Sequence, residues 1–263
     1  MTRILVALSA VLAIAYGLLA PGWYDAGVSH VALAALKCSS IVILALIAIW
    51  TAGVSPTGDN GAELERAASG SANGPQASAT RGRALQPSNT SHNKLLTAAL
   101  LFGAAGDALL ALGRDTFLAG ALAFLIGHLC YIALFLRAGI GDRATLRRAW
   151  RLAAMLVIAA SAIVMTSLLV PRDNALFGPL GIYTGVLTLM TMTSFTLPAS
   201  RWLAMLGAVL FFISDGFVAA HIFHPIADPT LAYWSSFAGW MIYWAGQACL
   251  CVGALGLHKP LRT

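Results

Sequence analysis

Two aspartates stand where a carboxylate is costly. Asp107 and Asp215 are the acids that fall well inside long apolar runs, Leu95–Leu112 and Trp202–Phe223. Lys37 lies inside a third run, Val28–Trp50, and His128 near the middle of a fourth, Phe117–Leu136. A charge at the centre of a bilayer costs about 2.5–3.5 kcal/mol or more, so such groups face a cavity or pair with one another. Two carboxyl groups in low dielectric invite acid–base chemistry. One keeps its proton near neutral pH, and the other stays ionised if Lys37 or a histidine supports it. Such a pair can protonate a substrate and stabilise the cation that forms. The plain structural reading of the same residues is a Lys–Asp pair that clamps helices. No Gly-x-Ser-x-Gly elbow is present, which disfavours a serine nucleophile.

Counting along the runs at about 1.5 Å per residue gives depth below the surface that the charge distribution marks as outer. Asp107 precedes the Gly113–Asp115 turn by six residues, or about 9 Å. Asp215 lies nine residues before His224, and Lys37 nine after Val28, each about 13 Å deep. Tyr183 and Tyr243 fall in the same outer half, while His128 and Gln247 count to about 18–20 Å. Five helices thus bring polar groups to similar depth, with two more groups beneath. Local spacing adds to this. Gly103 is four residues before Asp107 and Gln247 four after Tyr243, so each pair shares a helix face. Ser214 adjoins Asp215, and Tyr131 is three residues beyond His128. His221 and His224 lie at an outer helix end with no cysteine or third histidine at matching spacing. They read as interfacial histidines, and neither a metal nor a cofactor is expected.

The elements that must position these groups follow from composition. The chain has 263 residues, 59% hydrophobic and 10% charged, against about 25% charged in a soluble domain. Mean hydropathy is +0.80. In lipid every backbone polar group must be satisfied internally, and long apolar runs choose helices over barrel strands. The expectation is an all-α membrane protein of eight transmembrane helices: Ile4–Ala20, Val28–Trp50, Leu95–Leu112, Phe117–Leu136, Trp150–Val170, Phe177–Leu197, Trp202–Phe223 and Ala232–Leu255. The first run exceeds the roughly 7–15 residues of a signal-peptide core, so it reads as a retained helix.

With eight spans, thirteen Lys and Arg residues fall on the side of the termini and of the second, fourth and sixth connections. Only Arg114 and Arg172 fall on the other. This places both termini in the cytoplasm. The net charge of +6 therefore reflects topology and does not call for nucleic acid. The chain divides into residues 1–50 (two helices), 51–93 (a Gly/Ser/Ala-rich flexible cytoplasmic linker), 94–258 (a six-helix core carrying the site) and 259–263 (a tail). Cys38, Cys130, Cys249 and Cys251 all lie in apolar runs and read as small buried residues.

Four stretches, in order, resemble the YhhN family of lysoplasmalogenase-type membrane proteins. They are Leu101–Leu110 (LFGAAGDALL), Phe117–Phe135 (FLAGALAFLIGHLCYIALF), Gly207–Phe217 (GAVLFFISDGF) and Tyr243–Gly253 (YWAGQACLCVG). The family often has Lys-Pro in its second span, where this chain has Lys37-Cys38, and the long linker before the Gly-Asp helix is unusual. The resemblance implies hydrolysis of the vinyl ether bond of lysoplasmalogens, giving a fatty aldehyde and a glycerophospho-ethanolamine or -choline. It implies a lysophospholipid substrate among membrane lipids, and a multi-pass protein of the bacterial inner membrane. On this basis Asp107 and Asp215 divide proton donation and cation stabilisation, in an order the sequence leaves open. His128, Tyr243 or Gln247 hold the water, and Lys37 or Tyr183 meet the phosphate, with Tyr131 and Ser214 nearby. Two other readings stay open. A transporter or lipid-binding protein would be favoured by inverted repeats with broken helices. A zinc-dependent intramembrane hydrolase would be sensitive to chelators.

Overall fold

The structure is a computed structural model and describes residues 1–25, 30–53, 89–139, 141 and 148–256. Among these, eight α-helices occur: α1 (Thr2–Asp25), α2 (His30–Gly53), α3 (Asn89–Leu112), α4 (Phe117–Arg137), α5 (Ala149–Leu169), α6 (Phe177–Ser194), α7 (Trp202–Phe223) and α8 (Pro229–Leu255). Each corresponds to one expected span. Seven are long and apolar enough to cross a membrane, which makes the chain a multi-pass membrane protein. The exception is α6. Its 18 residues, about 27 Å at 1.5 Å each, include four threonines. Thr188, Thr191 and Thr193 each donate a hydroxyl to the carbonyl four residues back, which lets them sit in an apolar helix.

The expected linker is shorter at both ends than its composition implies. Helix α2 continues to Gly53, and α3 begins at Asn89. Residues 54–88, most of the linker, and the tail 259–263 lie outside the described residues.

Seven helices form a closed ring in the order α1, α2, α3, α4, α6, α7, α8, with α8 returning to α1 and also leaning across to α2 and α3. Helix α5 packs outside the ring against α6 and α7. Its outward face carries Leu152, Leu156, Val157, Ile163, Val164 and Leu168, all exposed, as a lipid-facing surface requires. Small residues set the tightest joints. A Cβ on Gly207 of α7 would lie 2.6 Å from the Gly246 carbonyl oxygen of α8. A Cβ on Gly127 of α4 would lie 3.2 Å from the Ala99 carbonyl of α3.

Both ends of α8 are closed by sequence-encoded caps. The Asp228 side chain accepts from Leu231 N–H at 2.8 Å, with Pro229 opening α8. Gly256 ends it in the left-handed region at φ 69°. Two arginines counted on the basic side act inside the bundle. Arg151 is buried and donates to the Phe195 and Leu197 carbonyls at 2.6 and 2.7 Å, just past the end of α6. Arg201 donates to the Ala254 carbonyl near the end of α8. Both place positive charge where a helix leaves unpaired carbonyls.

Candidate functional site

The ring brings together one chemical group or more from each of α2, α3, α4, α6, α7 and α8. On one side Lys37 of α2 places Nζ 3.3 Å from Oδ1 of Asp107 of α3. The other Asp107 oxygen, Oδ2, accepts the Tyr243 hydroxyl at 2.8 Å. Behind Tyr243, Gln247 Nε2 donates to the Tyr243 oxygen at 3.2 Å, and Gln247 Oε1 accepts the Tyr131 hydroxyl at 2.6 Å. Every donor in this series points toward Asp107. A string of donors plus an ammonium is what a carboxylate needs in place of water. Asp107 is 2% exposed and Gln247 0%, so their partners must come from the protein.

Gly103 makes this packing possible. A Cβ there would lie 2.8 Å from Gln247 Nε2 and 3.4 Å from the Tyr243 oxygen. The small residue one turn before the acid thus gives α8 its place against α3.

A second series ends on the other acid. His128 Nε2 lies 3.1 Å from the Tyr183 hydroxyl, which donates to Asp215 Oδ2 at 2.5 Å. No lysine or arginine among the described residues forms an ion pair with Asp215. Asp215 and Tyr183 are partly exposed, whereas Asp107 and His128 are buried. The His128 ring is 1% exposed, and its Nδ1 has no hydrogen-bond partner among the described residues.

Phe211 separates the two series. Its ring meets His128 at 4.8 Å and Tyr243 at 5.1 Å between centroids, both edge-to-face. Phe124 closes against Phe211 at 6.1 Å and Tyr243 at 6.0 Å. Phe211 thus stands between His128 of one polar chain and Tyr243 of the other.

All the expected residues but one join these chains. Ser214 is buried beside Asp215, and its hydroxyl donates to the Phe211 carbonyl of its own helix at 2.7 Å. Lys37 and Tyr183, expected to meet a phosphate, each hold a carboxyl group. Tyr131 is the far end of the Asp107 series. Tyr183 bridges two ionisable groups, His128 and Asp215.

Four aromatic residues went unnoticed in the sequence: Phe124, Phe211, Tyr16 and Trp240. Lys37 Nζ lies 5.4 Å from the Trp240 ring centroid and 5.9 Å from that of Tyr16, within cation–π range. Trp240 is three residues before Tyr243 and so on the same helix face, which is a signal the sequence did contain. Tyr16 comes from α1 and carried no such mark. The outer histidines use both ring nitrogens of His221: Nδ1 against the Phe217 carbonyl at 2.7 Å, and Nε2 against Ser236 Oγ at 3.4 Å. Among the described residues no group of three or more His, Cys, Asp or Glu is placed to hold a metal ion.

No curated protein and no solved structure matches the chain. The profile of the YhhN family matches residues 77–254, more than half of the chain. The match covers α3 to α8 and both aspartates, and leaves α1, α2 and Lys37 outside. The chain belongs to the YhhN family.

Proposed function

We propose that this protein is a membrane-embedded hydrolase of the lysoplasmalogenase type, cleaving the vinyl ether bond of a lysophospholipid to a fatty aldehyde and a glycerophospho-alcohol. The observation that carries the reading is the unequal environment of two carboxyl groups inside the bundle: Asp107, buried beside an ammonium, and Asp215, partly exposed beside a phenol. Unequal carboxyl groups divide the roles of acid and anion.

In this reading Asp215 is the proton donor. Its proton adds to the vinyl carbon, and the electrons of the double bond move toward the ether oxygen as an oxocarbenium ion. Asp107, kept ionised by Lys37, lowers the energy of that cation. Water adds to the cation, and the hemiacetal collapses to aldehyde and alcohol. The partition of Phe211 and Phe124 supports the low dielectric that this chemistry needs. A groove of about 400 Å³ between α5 and α6 is lined by Ala159, Ala162, Gly181 and Gly185 among others. It lies beside the turn of α6 that carries Tyr183 and offers room for a hydrocarbon chain.

The same reading has eight crossings, with α6 included, and both termini on the basic cytoplasmic side of a bacterial inner membrane. The test is aldehyde release by purified protein from a panel of lysolipids, with and without the vinyl ether and with and without chelator. Release from vinyl ether lipids alone, lost in Asp107→Asn and in Asp215→Asn, is the expected result. Full release by either correctly inserted variant would refute the assignment of the acids.

A further inference from the structure

Among the described residues of the site, one buried side-chain polar atom has no hydrogen-bond partner. His128 is 1% exposed, and Nδ1 of its ring has no partner among the described residues. Buried polar atoms are almost always paired, so an exception within a candidate site marks a place for a water or a substrate atom.

The neighbouring bonds fix what kind of atom Nδ1 is. The Tyr183 hydroxyl spends its proton on Asp215 Oδ2 at 2.5 Å, so its oxygen can only accept from the ring 3.1 Å away. Nε2 of His128 therefore carries the hydrogen. A neutral imidazole has one N–H, so Nδ1 is left as a bare acceptor. The edge-to-face contacts of Phe211 at 4.8 Å and Tyr183 at 5.4 Å hold the ring in place.

We propose that His128 is a second catalytic residue, acting through Nδ1 first as base and then as acid, with Tyr183 as the positioning residue that fixes its tautomer. The proposal rests on the hydrolase reading given above. After Asp215 has given its proton to the vinyl carbon, water bonds to the oxocarbenium carbon and one of its protons passes to Nδ1. The products of this step are the hemiacetal, a cationic His128 and an anionic Asp215, joined through the Tyr183 hydroxyl. In the collapse the Nδ1 proton goes to the leaving ether oxygen as its bond to carbon breaks. The hemiacetal hydroxyl loses its proton to Asp215 as the carbonyl forms. Both residues return to their starting states. The sum is vinyl ether plus water to aldehyde plus alcohol.

The experiment uses the full chain in detergent or vesicles, a vinyl ether lysolipid as probe and D2O as solvent. Removing the base leaves protonation at carbon intact but slows capture of the cation. The cation then returns its proton or deuteron to Asp215. His128→Ala and His128→Gln are expected to release aldehyde at least about a hundredfold more slowly, the usual range for general acid–base groups. Substrate recovered from these variants is expected to carry deuterium at the vinyl carbon. Asp215→Asn should show neither release nor exchange. Tyr183→Phe should lower kcat with little change in KM. His128→Gln retains a donor toward Tyr183 and covers the case in which the alanine variant does not fold. Aldehyde release within threefold of wild type in either His128 variant overturns the proposal, as does equal loss of release and exchange in folded variants. A wild-type chain silent on every vinyl ether lipid condemns the hydrolase reading itself, and this step with it.

Discussion

Lys37 Nζ stands 3.3 Å from Asp107 Oδ1, and the ring of Trp240 lies 5.4 Å from the same ammonium. Charge and quadrupole together replace the water that an exposed lysine would have. Removing one member of a buried pair strands the other, which costs about 3–5 kcal/mol. Lys37→Met should therefore destabilise the protein by about 3 kcal/mol, at the low end because Lys37 keeps 16% side-chain exposure. Lys37→Met combined with Asp107→Asn should recover most of that loss, since a neutral amide can still accept from Tyr243. Unfolding in detergent across the four-member cycle measures the coupling. Additive losses would mean that the pair contributes nothing.

Gln247 is the hinge of the Asp107 series, because it accepts from Tyr131 and donates to Tyr243 with one side chain. Gln247→Leu leaves the Tyr131 hydroxyl buried and unpaired at 1% exposure. The expected cost is about 1–3 kcal/mol. Tyr131→Phe in the Gln247→Leu background should then be nearly neutral or stabilising, because both unmatched groups are gone. Ser214→Ala removes a bond to the Phe211 carbonyl of the same helix and a hydroxyl that also reaches Asp215, and should lower aldehyde release without abolishing it.

The helices and the polar residues at depth were legible in the sequence for one reason. Lipid penalises charge so heavily that a lysine, two aspartates and a histidine inside apolar runs stand out without any knowledge of contacts. Counting at about 1.5 Å per residue also placed Lys37, Asp107, Tyr183, Asp215 and Tyr243 in the same outer half. Pairing was not legible. Depth alone sets Lys37 level with Asp215, each about 13 Å down, and Asp107 nearer the surface at about 9 Å, and it is the packing of α2 on α3 that gives Lys37 to Asp107. Phe211 was invisible for the opposite reason. An aromatic residue in an apolar helix looks like packing, and only its neighbours make it a partition or a cation contact. Arg151, at the start of α5, is buried against the carbonyls just past the end of α6, which its place in the sequence does not reveal.

Helix α1 lies outside the family match but is tied to the site by named bonds. Trp240 Nε1 donates to the Ala13 carbonyl at 2.8 Å, Trp244 Nε1 to Ser9 Oγ at 2.9 Å, and Ser9 Oγ to the Ser40 carbonyl at 2.7 Å. Tyr16 meets Trp240 edge-to-face at 4.9 Å. Trp240→Phe should cost about 1–2 kcal/mol from the lost hydrogen bond and weakened cation contact. It should also lower activity, because Lys37 loses part of its support. Tyr16→Leu should act in the same direction. Protein lacking the first helix should unfold at lower temperature than the full chain, and equal melting temperatures would show that α1 is a passenger.

Glycines in the same kind of helix should behave oppositely. Gly207 of α7 faces Gly246 of α8, and a Cβ there would lie 2.6 Å from a carbonyl oxygen and 2.7 Å from the Leu250 nitrogen. Both are backbone atoms, so no side chain can rotate away, and the helices must separate. Gly207→Ala should therefore destabilise by at least about 1–3 kcal/mol, the range for overpacking. Asp215, eight residues further along α7, would shift with its helix, so activity should fall as well. Gly185 on α6 has nothing within 4 Å of its Cβ position, because it borders the groove toward α5. There alanine meets open space and only reduces the freedom of the unfolded chain. Gly185→Ala should stabilise by about 0.4–1 kcal/mol and leave the hydrogen bonds around Tyr183 undisturbed. Melting curves of the two variants in one detergent decide the matter. Loss of stability at position 185 equal to that at 207 would mean that α5 and α6 close on each other and that the groove is filled by protein.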